Sequence, residues 1–554
     1  MKVSQMQYER PDFDKFLEEG EALLKRFEEA RSAEIQLQCL DELDRISEQM
    51  STMASLAQIR FSLNNNDEFY FKEKEFIDGE FPKVSLFSQK FAKAILGSKH
   101  IDGLKEMLPK VVFDQLELQV KSVNEKILPL MVEESKLTTK YGQLINNAVI
   151  EYNGEKYNIA TISKFFTNSD REVRRSATMA FSDAMMKVAP ELDEIYDQLV
   201  KLRTRMGREL GFENYSALGY MRMGRTCYGK EDIAKFRENV KKYIVPVVSE
   251  KKEQIRAKFG WDKVHFYDNG VYTEHEPRPE GTPEEIFEKG SRMYHELAPV
   301  TGYLFDRMRN DEAFDVLARK GKWGGGYCTT IPGYKTPFIL ANFNGSSHDV
   351  EVLTHEFGHA LAAEYGFRQG FNQQEATMET CEVHSMSMEF LTYPWMKDFF
   401  GDRLEDYKLT HIMGGLSFIP YGTIVDYFQQ TVYDNPDMTP AERNAFWAKI
   451  EHEFLPHVEF DDIPFYKEGR RWQRQMHIYE SPFYYIDYCL AQFTAFQILS
   501  LSLEDWDKAY ERYMKFLKQV GSKSFTELLE YAGLKTPFEE KPFIEVCDAI
   551  KKLI

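Results

Sequence analysis

The sequence predicts a mainly α-helical protein with one small sheet, and three observations carry that prediction. Apolar residues recur at spacings of three and four through most of the first 140 residues, as in FDKFLEEGEALLKRFEEA and AEIQLQCLDELDRISEQM. The same periodicity holds from about residue 375 almost to the end. Between them, one stretch, GKWGGGYCTTIPGYKTPFILANFNG, reads as β structure. A chain of 554 residues is too long for a single hydrophobic core, so two or more lobes are expected.

Taken in order, the N-terminal helices run to a short insert, VIEYNGEKYNI, which reads as a hairpin turning at Asn153-Gly154. Long helices resume at DREVRRSATMAF. FYDNGVYTEHEPRPEGTPEEI is rich in turn formers and reads as a connecting loop. It ends on Thr282-Pro283-Glu284-Glu285, a helix start made of a cap, a first-position proline and acids in the first turn. In the β stretch, YCTTI and PFILANF flank a Pro-Gly turn, and Asn344-Gly345 ends the second strand. Ser346 and Asp349 fit a capping box for the helix that follows.

Composition narrows the function classes. A formal net charge of −19 argues against nucleic acid as a partner, since phosphate binding requires a basic footprint. The N-terminus, MKVSQMQYERPDFDKF, lacks the apolar core of a secretory signal, and no run approaches 18 uninterrupted apolar residues, so no membrane span is expected. Cys39, Cys227, Cys328, Cys381, Cys489 and Cys547 are scattered and form no CxxC pair, which reads as free thiols in a reducing compartment such as the cytoplasm. WGGGYC is no phosphate loop, because no Lys-Ser/Thr follows it and no helix opens after it.

The chemistry concentrates in EVLTHEFGHALA, residues 351–362. On a helix, positions i and i+4 share a face, so His355 and His359 can point at one metal ion. Glu356, beside the first histidine, can reach the open side of that ion without ligating it and can act as a general base. In a chain of this composition two histidines and an acid at this spacing should arise by chance only about 0.04 times. A third ligand is required for a zinc site with an open position. Downstream, Glu375, Glu379, Glu382 and Glu389 form one stripe on a helix, and periodicity does not choose among them. His384 lies off that stripe, and its readings as a packed polar residue and as a site residue are balanced. His452 and His457, at i and i+5 around a proline, read as structural.

VLTHEFGHAL, PFILANFNG, EVHSMSME and HIYESPFYYIDYCLAQF, in this order and spacing, resemble the oligoendopeptidase F and thimet oligopeptidase family of zinc metallopeptidases. The resemblance covers roughly residues 150–550 and includes DREVRRSATMAF and LGFENYSALGYMRMGR; residues 1–110 match only as a helical region. It implies two interleaved helical lobes around a deep substrate channel, with a small antiparallel sheet beside the zinc helix. A helical N-terminal region, 1–185, would form part of the channel wall, and 186–554 would be the catalytic domain. One Zn²⁺ per chain is implied, held by His355, His359 and Glu382, with Glu389 and Asp349 behind the ligands and Glu356 as the base. His477, Tyr488 and either Tyr484 or Tyr485 are implied as donors to the oxyanion and to the substrate backbone. Gly325, Gly326, Tyr327, Ala341 and Asn342 are implied to run beside the bound peptide. The implied activity is endopeptidic cleavage of short unfolded peptides in the cytoplasm, without nucleic-acid or membrane partners.

Overall fold

The computed structural model describes residues 1–371, 377–460 and 462–554. The protein is 71% helical with only small sheets, as the periodicity predicts. It divides into two compact units, each assembled from three stretches of chain. Residue 185, where a boundary is expected, lies inside the helix Arg171–Glu209, so no linear division falls there.

The first unit comprises Met1–Lys121, Arg278–Leu404 and Thr494–Leu534. Its N-terminal helices are Phe13–Glu29, Ala33–Leu63 and Glu68–Leu96. Each opens on a polar cap: Asp12, Ser32 and Asp67 accept backbone N–H groups of the first turn. Their apolar faces close on one core that contains Phe13, Phe16, Phe27, Leu40, Phe87 and Phe91. The helix Pro283–Leu297 starts with the expected reciprocal cap, in which Glu285 N–H donates to Thr282 Oγ1 and Thr282 N–H donates to Glu285 Oε2.

The unit's sheet has three strands. Thr336–Phe343 is central and pairs antiparallel with Tyr327–Ile331 across the Pro332-Gly333 turn. A third strand, Phe314–Leu317, joins its other side in parallel, so the sheet is mixed rather than purely antiparallel. The central strand reads TPFILANF without alternation because it is enclosed on both faces, and all of it but Asn342 is buried.

The second unit comprises Ser122–Pro277, Glu405–Phe493 and Lys535–Ile554. The predicted hairpin forms, pairing Ile150–Tyr152 with Glu155–Tyr157. The unit is organised by the 39-residue helix Arg171–Glu209 and by ion pairs that sit inside it. Asp268, fully buried, accepts from Arg174 at 2.8 Å and from Arg171 at 2.8 Å. Arg203, also fully buried, donates to Glu134 at 2.6 Å. Such charges are tolerated only because each is met by a partner and by backbone carbonyls. Arg174, for example, also donates to the carbonyls of Tyr267, Asn168 and Ser169.

The helix Tyr485–Glu504 has the length and apolar composition of a membrane span, yet 72% of its apolar window is buried within the protein. A helix that is apolar all round is what a protein core requires.

Removing the acid from the Arg171–Asp268–Arg174 cluster leaves two cations without their counter-ion. Asp268→Ala is expected to cost about 3–5 kcal/mol, seen as unfolding at lower urea by circular dichroism; an unshifted curve would show that this cluster does not hold the unit together.

Candidate active site

The helix carrying the motif spans Ser347–Gly366 and follows the central strand after one tight turn. The expected capping box forms in a shifted way. Ser346 is the cap residue but its hydroxyl makes no capping bond. Asp349 instead accepts the N–H groups of Asn344 (3.0 Å) and Gly345 (2.7 Å). Its carboxylate therefore fastens the strand to the helix and, among the described residues, makes no hydrogen bond to the metal-site side chains. Its expected place behind the ligands is not where the structure puts it.

His355 and His359 project from one face of this helix with ring centroids 5.0 Å apart. The second helix of the site, Met378–Leu391, carries the glutamates. Glu382 Oε2 lies 3.3 Å from His355 Nε2 and 3.8 Å from His359 Nε2. One atom from each of the three residues falls within 4.8 Å of the others. Donors held about 2.0–2.2 Å from a tetrahedral ion stand about 3.3–3.6 Å apart, so the group fits one zinc ion. Glu389 Oε1 bonds His355 Nδ1 at 2.7 Å, so Nε2 is the nitrogen that faces the other two donors. Among the rival glutamates, Glu379 accepts from Thr377 Oγ1 at 2.9 Å, at the start of its own helix, and does not join the group. Glu375 lies outside the described residues.

The approach of the two helices depends on Gly358, inside the motif. A Cβ there would stand 2.5 Å from the carbonyl oxygen of His384 and 2.7 Å from Ser385 Cα. Both atoms are backbone and cannot rotate away. Ser385 in turn donates its hydroxyl to Glu382 Oε2 at 3.2 Å, orienting the ligand carboxylate.

The electrostatics of the group suit a cation. Burial holds His359 down at about 4, so it is a neutral imidazole with a free lone pair. Burial also opposes charge on His355, but hydrogen bonds to Glu382 and Glu389 outweigh it and raise its pKa. Burial pushes Glu356 up to about 7, against the pull of His355, and the backbone N–H of Cys328 binds its carboxylate. A divalent ion held by the three donors would draw Glu356 back toward its charged form.

That N–H belongs to the strand Tyr327–Ile331, whose outer edge pairs with no other strand among the described residues. A Cβ on Gly326, at its start, would lie 3.7 Å from Glu356 Oε1. Gly325, Gly326 and Tyr327 thus lie at or beside an open sheet edge that adjoins Glu356. Ala341 and Asn342 lie just beyond Leu340, the last residue of the central strand to pair with Tyr327–Ile331. Ala341 is buried, and its carbonyl accepts from Lys322. The Asn342 amide donates to the carbonyls of Trp323 and Gly325, both at 2.8 Å, and so pins the glycine-rich loop.

The late segment gathers its side chains within the second unit. The His477 ring lies 5.6 Å from Tyr484, 4.8 Å from Tyr485 and 6.1 Å from Tyr488. Tyr484 and Tyr488, one turn apart, pair at 4.9 Å. Tyr485 packs on Tyr488 at 5.8 Å and also on Phe418 and Tyr421. The tautomer of His477 is set by a relay: Tyr421 donates to Gln475 Oε1 at 2.8 Å, and Gln475 Nε2 donates to His477 Nδ1 at 2.7 Å. The proton therefore sits on Nε2. Burial lowers His477 to about 4, keeping it neutral.

Two family models cover most of the sequence: Peptidase M3 N-terminal domain matches residues 3–123, and Peptidase family M3 matches residues 165–546. The chain belongs to peptidase family M3. Its relatives within M3 include Oligopeptidase PepF of Bacillus subtilis, 23% identical over 95% of this chain and 82% of that one. A solved structure described as PZ peptidase A with inhibitor 2 is 40% identical with a TM-score of 0.93, covering 100% of this chain and 98% of that one. A putative oligoendopeptidase F from Bacillus anthracis is 37% identical with a TM-score of 0.88 over the same shares. The resemblance read from the motifs is therefore correct, and this M3 chain is a peptidase of the oligopeptidase type. The N-terminal match also extends family membership to a region whose sequence reads only as helices.

Three other histidines of this M3 peptidase, His384, His452 and His457, sit in packed or hydrogen-bonded surroundings away from the three-donor group. His384 is fully buried against the edge of Phe516, 5.5 Å away, and burial lowers it to about 3. His457 bonds Ser249 and Asn269, and His452 packs on Phe460. The residues that sequence reasoning missed are Gly358, Ser385, Gln475 and Lys322. Gly358 alone had a signal, a glycine set inside a helical motif.

Two substitutions test this arrangement. Glu389→Ala removes the acceptor behind His355 and is expected to weaken zinc binding by about 10–100-fold, read by competition with a chelating dye. Gly358→Ala forces the two helices apart and should weaken binding at least as much. Unchanged affinity in Gly358→Ala would show that the close approach does not set the ligand geometry.

Proposed function

We propose that this M3 peptidase is a zinc-dependent endopeptidase that hydrolyses internal bonds of short, unfolded oligopeptides. The observation that carries the reading is the convergence of His355, His359 and Glu382 donors beside a buried Glu356. These three residues would hold the ion. Bound there, zinc supplies a polarised carbonyl and a water acidified to a pKa of about 7. Glu356 takes the proton of the attacking water on its carboxylate and passes it to the departing amine nitrogen. The open edge of Tyr327–Ile331 offers backbone groups to an extended peptide, and backbone pairing reads no side chains. By the family resemblance, His477, with its proton on Nε2, and Tyr488 with Tyr484 would be the donors to the developing oxyanion. The six free cysteines and the net charge of −19 support work on peptides in a reducing compartment such as the cytoplasm.

Glu356→Gln keeps the shape of the side chain and removes the base. It is expected to bind zinc as the parent does and to lose at least about 10²-fold in kcat on an internally quenched peptide. Near-parental turnover would sink the assignment. A substrate blocked at both ends should still be cut by the parent enzyme; failure there would indicate an exopeptidase.

A further inference from the structure

The tyrosine cluster stands on a turn with an unusual backbone. Phe483, immediately before Tyr484, has φ of 69°, in the left-handed region that residues with a Cβ seldom occupy. Such a conformation persists only where the surroundings hold it, and here three groups do. Gln429 Oε1 accepts the Phe483 N–H at 3.1 Å, and its own amide nitrogen is fixed on Val425 O at 3.1 Å. Gly219 gives the Phe483 ring room, since a Cβ on it would lie 2.5 Å from the ring. The third group is Arg225. Its Nη2 donates both to the Phe483 carbonyl and to Asp487 Oδ1, the latter at 2.7 Å. Tyr228 adds a bond from its hydroxyl to the same Asp487 oxygen at 3.0 Å. The guanidinium is fully enclosed and lies 4.5 Å over the Tyr220 ring.

Phe483 and Asp487 bracket the segment that carries Tyr484, Tyr485 and, one residue on, Tyr488. One nitrogen of Arg225 therefore joins the entrance of the turn to the first turn of the helix. We propose that Arg225 is a positioning residue for the tyrosine cluster: by tying the Phe483 carbonyl to the Asp487 carboxylate, it fixes the direction in which the Tyr484 and Tyr488 hydroxyls point. Lysine is a poor replacement, because its chain is one bond shorter and its nitrogen falls short of the point from which Nη2 meets both acceptors. This inference rests on the donor role given to these tyrosines above.

The test is a double-mutant cycle on the full-length, zinc-loaded enzyme, with kcat and KM measured on a quenched peptide alongside zinc content and circular dichroism. Arg225→Lys is expected to lower kcat at least about tenfold, with KM changed less and zinc content unchanged. In a Tyr488→Phe background the same change should cost less than about threefold, because the hydroxyl it serves is gone. Equal losses in both backgrounds, or an unchanged kcat, would overturn the proposal. If Arg225→Lys does not fold, Asp487→Asn, which keeps the side-chain shape, takes its place in the same cycle. If Tyr484→Phe and Tyr488→Phe both leave kcat at the parental value, the donor role itself fails and the proposal falls with it. Loss in those variants without loss in Arg225→Lys refutes the positioning role alone.

Discussion

The His–His–Glu group depends on how closely two helices can pass. His355 and His359 are fixed by helical spacing on Ser347–Gly366, but Glu382 sits on another helix and must be brought within a few ångströms. At Gly358 the backbone of Met378–Leu391 occupies the space where any other side chain would begin. Every other feature of the site presumes that contact. The Glu382 carboxylate reaches both imidazoles, Ser385 orients it, and Glu389 falls behind His355 because the helices are held at this separation. A Cβ at Gly358 would meet the backbone of His384 and Ser385 at 2.5–2.7 Å, so the acidic helix would have to shift.

Burial then sets the chemistry. A carboxylate, two imidazoles and a further acid are crowded together where water is scarce, so each proton is displaced from its ordinary affinity. His359 is kept neutral by burial, and Glu356 is kept hungry for a proton by the same cause. A base with a raised affinity is what a reaction that moves a proton from water to an amine near neutral pH requires. The second unit uses burial differently. There it encloses charges that are already matched, and they act as rigid braces for turns and helix ends.

Much of this was legible in the sequence, because it rests on local rules. The hairpin at Asn153-Gly154, the cap at Thr282, the two strands around Pro332-Gly333 and the motif helix follow from spacing and turn chemistry alone. What escaped depends on distant pairing. Glu379 and Glu382 share a stripe, and only the position of the motif helix separates a ligand from a cap-proximal acid. Phe314–Leu317 is four residues long and pairs in parallel, so it leaves no alternating pattern to read. Its presence makes Thr336–Phe343 the central strand of the three. The left-handed backbone at Phe483 has no sequence signature either, since glycine is what usually marks such a site.

The discontinuity of the two units bears on how this protein is made. Neither unit has all its parts until its third stretch is made: the first requires Thr494–Leu534, and the second requires Lys535–Ile554. The first helices can close on one another early, since their core runs from Phe13 to Leu116 with Phe371 the one later member, but the rest of each unit waits for its later stretches. Folding must wait for partners several hundred residues away, a high-contact-order route that is slow and open to aggregation. A chain that stops before Thr494 leaves both units incomplete, so stalling there should yield material for degradation rather than a partly working enzyme.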